Sequence, residues 1–287
     1  MARSGWLMLL VCWLGGLCAP FSSVRAVSFD LRDGDRVAFV GGVFMEREAE
    51  DGYLETVFTR RHPGLNLAFR NFGWGGDTVF RQTRPPKWTN LLETALAEFK
   101  PTVIFVSYGL MESLDGKATL PRFMNRFEAL INRLEKHAPR IVICSPLRHE
   151  NLGGLWPDPA DHNGSIQLYL LGMGRIARLH NHAFVNFYEL LGDGTRSRQQ
   201  QPYSNNGVHL TGYGYWRAAA VTEQALGLFP LSWRVELDPS TKLTPIRGTE
   251  LKDLVHATNH VRFAATDEAL PAPLAPLGTP EGLSWPN

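Results

Sequence analysis

The stretch Arg36-Val37-Ala38-Phe39-Val40-Gly41-Gly42-Val43-Phe44-Met45-Glu46 decides the fold. An apolar run of strand length ends on two glycines, and a segment of helical spacing follows it. That is how the first strand of an open α/β sheet passes into its first helix. In such sheets ligands and catalytic groups collect at the carboxyl ends of the strands, so function is expected beside Gly41 to Phe44. Two glycines, a valine and a phenylalanine offer no acid, base or nucleophile there.

Downstream, strand-length apolar runs alternate with longer segments of helical period. The expected strands are Arg36 to Val40, Leu67 to Asn71, Thr102 to Ser107, Arg140 to Ser145 and Ala183 to Asn186. Between and after them the pattern predicts helices at Glu48 to Arg61, Trp88 to Phe99, Leu120 to His137, Ile166 to His180 and Thr211 to Leu226. This alternation predicts a five-stranded parallel sheet with helices on both faces. Pro101 and Pro139 stand just before the third and fourth strands, where a missing N–H costs least. The carboxyl ends then bring Gly41-Gly42-Val43, Gly73 to Thr78, Tyr108 to Glu112 and Ser145 to Glu150 to one rim, which the loop Ser204 to His209 also reaches.

Upstream of the first strand, Arg3 precedes an apolar run from Trp6 to Leu17, and Val24-Arg25-Ala26 offers small residues where a signal peptidase cuts. Met1 to Ala26 therefore reads as a secretory signal and the mature chain as secreted or periplasmic, with an uncleaved membrane anchor as the alternative. The run is short for a span, so no stable membrane span is expected once the signal is removed. Cys12 and Cys18 fall inside the signal, which leaves Cys144 alone in an apolar run and no intramolecular disulfide in the mature chain. Beyond the domain at 27–230, Trp233 to Leu237 alternates like a half-exposed strand, with Val261 to Ala265 as its candidate partner, in a small β appendage at 231–269. A Pro-rich tail follows at 270–287. With 287 residues, 44% of them apolar, and a formal net charge of +1, nothing electrostatic points to a nucleic-acid partner.

Four blocks now stand in order: the glycine turn after the first strand, Asn71-x-Gly73-x-x-Gly76-Asp77-Thr78, Gly109-x-x-Glu112, and Gly207-Val208-His209-Leu210 before the last helix. Together they resemble the SGNH (GDSL) hydrolases over roughly Arg36 to Leu226. Gly52 to Thr56, Asn71 to Trp74 and His209 to Trp216 look like one bacterial, exported branch of that family. The resemblance implies a flavodoxin-like three-layer α/β/α sandwich. It also implies acyl transfer by a serine nucleophile, a histidine base, an orienting aspartate three residues before it, and an oxyanion hole that needs fixed donors. Carried over position by position, the family's Gly-Asp-Ser-Leu falls on Gly41-Gly42-Val43-Phe44, so the nucleophile position is Val43. The oxyanion glycine falls on Gly76, the oxyanion asparagine on Met111, the base on His209 and the orienting aspartate on Asn206. Losing one oxyanion donor costs roughly 10²- to 10³-fold in rate, and an asparagine in place of the aspartate roughly 10⁴-fold in the serine-protease example. The resemblance thus implies an exported hydrolase relative with impaired chemistry that binds a ligand, a glycan or acylated glycan, or else a protein partner.

Other residues on the rim could restore an ester-hydrolysing activity. Ser145 has His149 and Glu150 close in sequence, and Ser107 and Ser113 flank the third loop, although serines at strand ends commonly satisfy backbone groups. His209 with Glu112 or Glu150 could activate a water as general base. His149, Glu150, Asp158, Asp161 and His162 crowd one loop but match no metal-ligand spacing, and no cofactor signature is present, so neither a metal nor a cofactor is expected. His180 and His182 bracket a helix end, where capping suffices. Trp74, Trp88 and Trp156 could line a carbohydrate cleft or pack in the core. The expected binding residues are therefore Gly41, Gly42, Trp74, Asp77, Glu112, Ser145, His149 and Glu150.

Overall fold

Successive side chains of a strand point to opposite faces, so a strand apolar at every position must be covered on both. Val37, Ala38, Phe39 and Val40 are all fully buried, and the computed structural model shows both covers. It describes residues 29–83, 91–190, 201–228, 231, 233–237, 243–257 and 260–272. The signal segment with Cys12 and Cys18, Trp88, and most of the Pro-rich tail lie outside the described residues.

In chain order the elements of the sandwich are β1 (Arg36–Gly41), α1 (Val43–Asp51), α2 (Tyr53–Arg61), β2 (Ala68–Asn71), α3 (Leu91–Phe99), β3 (Val103–Ser107), α4 (Leu120–Leu134), β4 (Arg140–Cys144), α5 (Ala160–Leu179), β5 (Ala183–Val185), α6 (Phe187–Leu190) and α7 (Gly212–Ala225). The five strands pair in parallel in the order β2-β1-β3-β4-β5. Val37, Phe39, Val103, Phe105 and Val142 pack against Leu54, Val57 and Phe58 of α2 and Ala218 and Ala219 of α7. Ala38, Val40, Ile104, Val106 and Ile143 pack against α3, α4 and α5 through Leu96, Phe127 and Tyr169. The chain leaves β1 towards β2 and returns past it to β3, so the sheet's direction of growth reverses between β1 and β3. That crevice is where an open α/β sheet takes its ligand.

Several boundaries differ from the sequence reading. The helix expected from Glu48 to Arg61 is two helices, broken at Gly52, which adopts φ 64° and ψ 24°. That left-handed geometry strains any residue with a Cβ. Glu48 bridges the break, because its Oε1 accepts from the Leu54 N–H at 2.8 Å and so caps α2. The side chain is fully buried, and burial pushes its pKa from 4.5 to about 8. The α5 helix starts at Ala160 rather than Ile166, since Asp158 Oδ1 caps the Ala160 N–H at 3.0 Å and six polar or small residues open the helix without an apolar stripe. Cys144 is buried and its thiol pKa is raised by that burial.

The C-terminal region also differs. Its strands form two antiparallel hairpins, β6 (Arg234–Leu237) with β7 (Leu243–Arg247) and β8 (Thr249–Ala257) with β9 (His260–Asp267). The two stretches read as partners therefore belong to different hairpins. Period two identifies a strand, whereas its partner is chosen by short connections between sequence neighbours. Leu270 and Arg60 tie this region to α2: the Leu270 N–H donates to the Arg60 carbonyl at 3.0 Å, and Arg60 Nε donates to the Leu270 carbonyl at 3.1 Å. Among the described residues no helix is long and apolar enough to cross a membrane.

Candidate functional site

The crevice between β1 and β3 is tight because its backbones touch. Gly41 pairs with Ser107, and a Cβ on Gly41 would stand 2.4 Å from the Ser107 carbonyl oxygen, so only glycine fits. The Gly42 N–H also donates to the Ser107 carbonyl, at 3.3 Å. Val43 then opens α1 half-buried. Beside it lies a cavity of about 30 Å³ lined by Val43, Asp77, Gly109, Met111, Glu112 and Leu147, among others. That volume is about one water molecule's share of the liquid. Met111 itself is 46% exposed and directs no polar atom at the cavity.

The residues at the base position sit on the loop before α7. Asn206 Oδ1 accepts from the backbone N–H groups of Val208 at 3.1 Å and His209 at 2.8 Å. With its oxygen so used, Asn206 presents Nδ2 to His209 Nδ1 at 3.3 Å. An amide nitrogen only donates, so Nδ1 must accept and the proton of a neutral imidazole must sit on Nε2. A general base that takes a serine proton on Nε2 needs the opposite tautomer. Burial, and then the positive charge of Arg47, lower the His209 pKa and keep the ring neutral. Arg47 lies one helical turn after Val43, on the same face of α1.

A second histidine group occupies the same rim. The Ser113 hydroxyl donates to the Leu110 carbonyl at 2.6 Å, and His162 Nε2 stands 2.9 Å from its Oγ. With the hydroxyl proton used, Nε2–H of His162 must donate to Oγ, and His162 Nδ1 must then accept from His149 Nδ1, 3.1 Å away. His149 Nε2 is left as a buried lone pair with no partner among the described residues. Burial first, then the nearby His162 and His209, push the His149 pKa down to about 4, so the ring stays neutral. Asn163 grips the His149 backbone from both sides, accepting from its N–H at 2.8 Å and donating Nδ2 to its carbonyl at 2.9 Å.

The carboxylates of the rim act as braces. Glu112, 3% exposed, accepts from the Val79 N–H at 2.7 Å and the Gly109 N–H at 2.9 Å, joining the second and third loops. Glu150 accepts from the Ser204 N–H at 2.8 Å and the Ser204 hydroxyl at 2.6 Å, joining the fourth loop to the one carrying His209. Asp77 accepts from the Thr83 N–H at 2.8 Å. Ser145, 1% exposed, donates to the Pro146 carbonyl at 3.0 Å and accepts from the Tyr188 N–H at 3.4 Å, which is the backbone-satisfying use of a strand-end serine. Trp74 and Trp156 are 41% and 50% exposed, so they present ring surface rather than fill the core. Gly76 turns at φ 80° within its exposed loop and does not line the cavity. Sequence reasoning missed Arg47, which helical periodicity from Val43 would have placed on the same face, and the pairing of His162 with Ser113.

The comparisons with known proteins agree with this fold. The model of the GDSL-like Lipase/Acylhydrolase family matches residues 34–217. No curated protein matches the chain. Among solved structures, a gut microbial diltiazem-metabolizing enzyme, BT4096, superposes with a TM-score of 0.69 at 17% identity, over 88% of this chain and 61% of that one. This chain thus spans less than two thirds of that enzyme. The acetylxylan esterase Axe2 of Geobacillus stearothermophilus superposes with a TM-score of 0.55 at 15% identity, over 70% of this chain and 98% of its own. Its catalytic mutants replace a serine and an aspartate by alanine. LAE5, an α/β hydrolase enzyme from the metagenome of Lake Arreo, Spain, superposes with a TM-score of 0.55 at 14% identity, over 70% of this chain and 98% of its own. At these identities the likeness is one of fold.

Proposed function

The chain belongs to the GDSL-like lipase/acylhydrolase family, and from that premise we propose that it is an exported member that has given up ester hydrolysis and binds a ligand on its rim. The observation that carries this reading is Val43. The side chain in the nucleophile position has no atom that can attack a carbonyl, and the space beside it holds about one water. Met111 in place of an oxyanion donor and Asn206 in place of the orienting aspartate point the same way. So does the Nε2–H tautomer that Asn206 imposes on His209.

A cavity this small moves any ligand outward. The exposed faces of Trp74 and Trp156 on the rim loops suit the apolar face of a sugar ring. An acetylxylan esterase shares the fold, which makes a glycan or acylated glycan the first ligand class to try and a protein partner the second. The N-terminal segment fits export, so the secreted chain should begin at Val27.

A titration of purified protein with xylo-oligosaccharides and acetylated xylo-oligosaccharides, followed by heteronuclear NMR, tests this. Shifts confined to the rim with no release of acetate are expected. Acetate release that disappears in His209→Ala would overturn the reading. A rival reading, hydrolysis by a water held on the bare Nε2 of His149, is favoured by the fixed Ser113-His162-His149 chain. It predicts turnover that survives His209→Ala and is lost in His149→Gln.

A further inference from the structure

A third histidine cluster lies at the opposite edge of the sheet from the rim, where α4 ends and the chain enters β5. Glu135 is the C-cap residue of α4, and Glu128 lies seven residues earlier, two turns back on the same helix face. His180 caps α5 and His182 directly precedes β5. Between the two histidines Asn181 takes a left-handed conformation, φ 56°, which swings both rings to one side. The rings stack with centroids 5.9 Å apart and an interplanar angle of 23°.

Capping, the role the sequence suggested for these histidines, is performed by their backbone. The His180 N–H donates to the Ile176 carbonyl at 3.0 Å and the His182 N–H to the Ala177 carbonyl at 2.8 Å. The imidazoles are thereby left for another task, and both converge on one carboxylate oxygen. Glu135 Oε1 lies 2.9 Å from His180 Nδ1 and 2.9 Å from His182 Nε2.

We propose that Glu135, His180 and His182 form a binding site for a borderline divalent transition metal, Zn²⁺ foremost, in which water completes the coordination. The three donor atoms lie within 4.8 Å of one another. Metal–ligand bonds of about 2.0–2.2 Å place the donors of a tetrahedral site roughly 3.4 Å apart, so each pair has to change its separation by no more than about 1.4 Å to admit the ion. Two imidazoles and one carboxylate are a donor set that zinc, cobalt, nickel and copper take and calcium does not.

The surroundings fit as well. Glu128 Oε1 stands 3.5 Å from His180 Nε2, on the ring nitrogen that faces away from the site. A carboxylate in that place accepts the remaining N–H and orients the ring, as it does behind histidine ligands of metals. The His182 side chain is 8% exposed and that of Glu135 34% exposed, so the site is buried on one side and open to water on the other. Binding would replace the protons now shared between Glu135 and the two rings, and would fasten the end of α4 to the entrance of β5. The proposal does not depend on the reading of the rim.

The test uses the purified chain, stripped with EDTA and dialysed, and titrated with Co²⁺ followed by its visible absorption, then with Zn²⁺ in competition with an indicator dye. One equivalent per chain is expected, with visible bands of a four- or five-coordinate cobalt ion. Glu135→Gln and His182→Gln should each weaken binding at least tenfold, and Glu128→Gln roughly 10-fold. His137→Gln, in a separate histidine–carboxylate pair with Glu93, should leave binding unchanged. Both key variants alter side chains at the end of an element, and their circular dichroism and melting temperature report whether they fold. If His182→Gln does not, Glu135→Gln on the more exposed partner decides. Absence of saturable binding, or binding that survives Glu135→Gln at full strength, overturns the proposal.

Discussion

The interior of the sheet and the rim above it are built from the same strands and obey different constraints. In the interior the apolar positions of β1 and β3 pack against helices, and side chains such as Phe39, Phe58 and Phe105 meet with ring centroids 5.5 Å apart. On the rim the buried polar groups hold loops to one another: Glu112 joins the second loop to the third, and Glu150 joins the fourth to the loop of His209. On the proposed reading, the difference teaches that a hydrolase scaffold and its chemistry are separable. Strands and braces are kept by packing and hydrogen-bond satisfaction, which act on the folded chain whether or not it turns over a substrate. Met111, 46% exposed, carries no such duty to the fold, and Asn206 carries it only within its own loop, where it accepts from the N–H groups of Val208 and His209.

Removing a core aromatic should break the comparison on the interior side. Phe58→Ala should cost about 3–5 kcal/mol in denaturant unfolding; a cost below about 1 kcal/mol would mean that the first face of the sheet repacks freely. The next effect is pH-dependent and comes from Glu48 beneath the rim. Its folded pKa of about 8 lies above its ordinary 4.5, so between those values the folded chain holds a proton that the unfolded chain has released. Its contribution is full below about pH 4.5, falls as pH rises and is lost above about 8. Glu48→Gln should therefore gain roughly 2–4 kcal/mol relative to the parent between pH 5 and pH 9, read from unfolding curves at both. An equal difference at the two pH values would contradict the assignment.

Glu150→Ala should cost about 1–3 kcal/mol, because the Ser204 N–H and hydroxyl lose a buried acceptor. It should also broaden the amide signals of residues 203–209 in NMR spectra. The smallest effect belongs to the exposed rim: Met111→Ala should change stability by less than about 0.5 kcal/mol. A larger loss would mean that Met111 packs after all and that rim and interior are not distinct.

The sheet was legible because buried parallel strands read as unbroken apolar runs, and all five lie within one residue of where the sequence places them at either end. Helix ends were less so. Gly52 breaks a segment whose apolar pattern runs on, and the first six residues of α5, Ala160 to Ser165, carry no periodic signal. On the rim, the identities at Val43, Met111 and Asn206 were readable from the chain, but the direction of the Asn206 amide was not. It follows from the oxygen being taken by two backbone N–H groups of its own loop. His149 and His162 are 13 residues apart and meet only because a loop and the first turn of α5 come together. No spacing rule for helices or strands announces such a pair.

The central claim is that the rim keeps its shape while its histidine is turned away from catalysis. The ring nitrogens of His209 test this most directly, through long-range ¹H–¹⁵N correlation on protein labelled at histidine. At neutral pH the Nε2–H form is expected, changing towards the Nδ1–H form in Asn206→Asp. A parent protein whose His209 already carries its proton on Nδ1 would contradict the account.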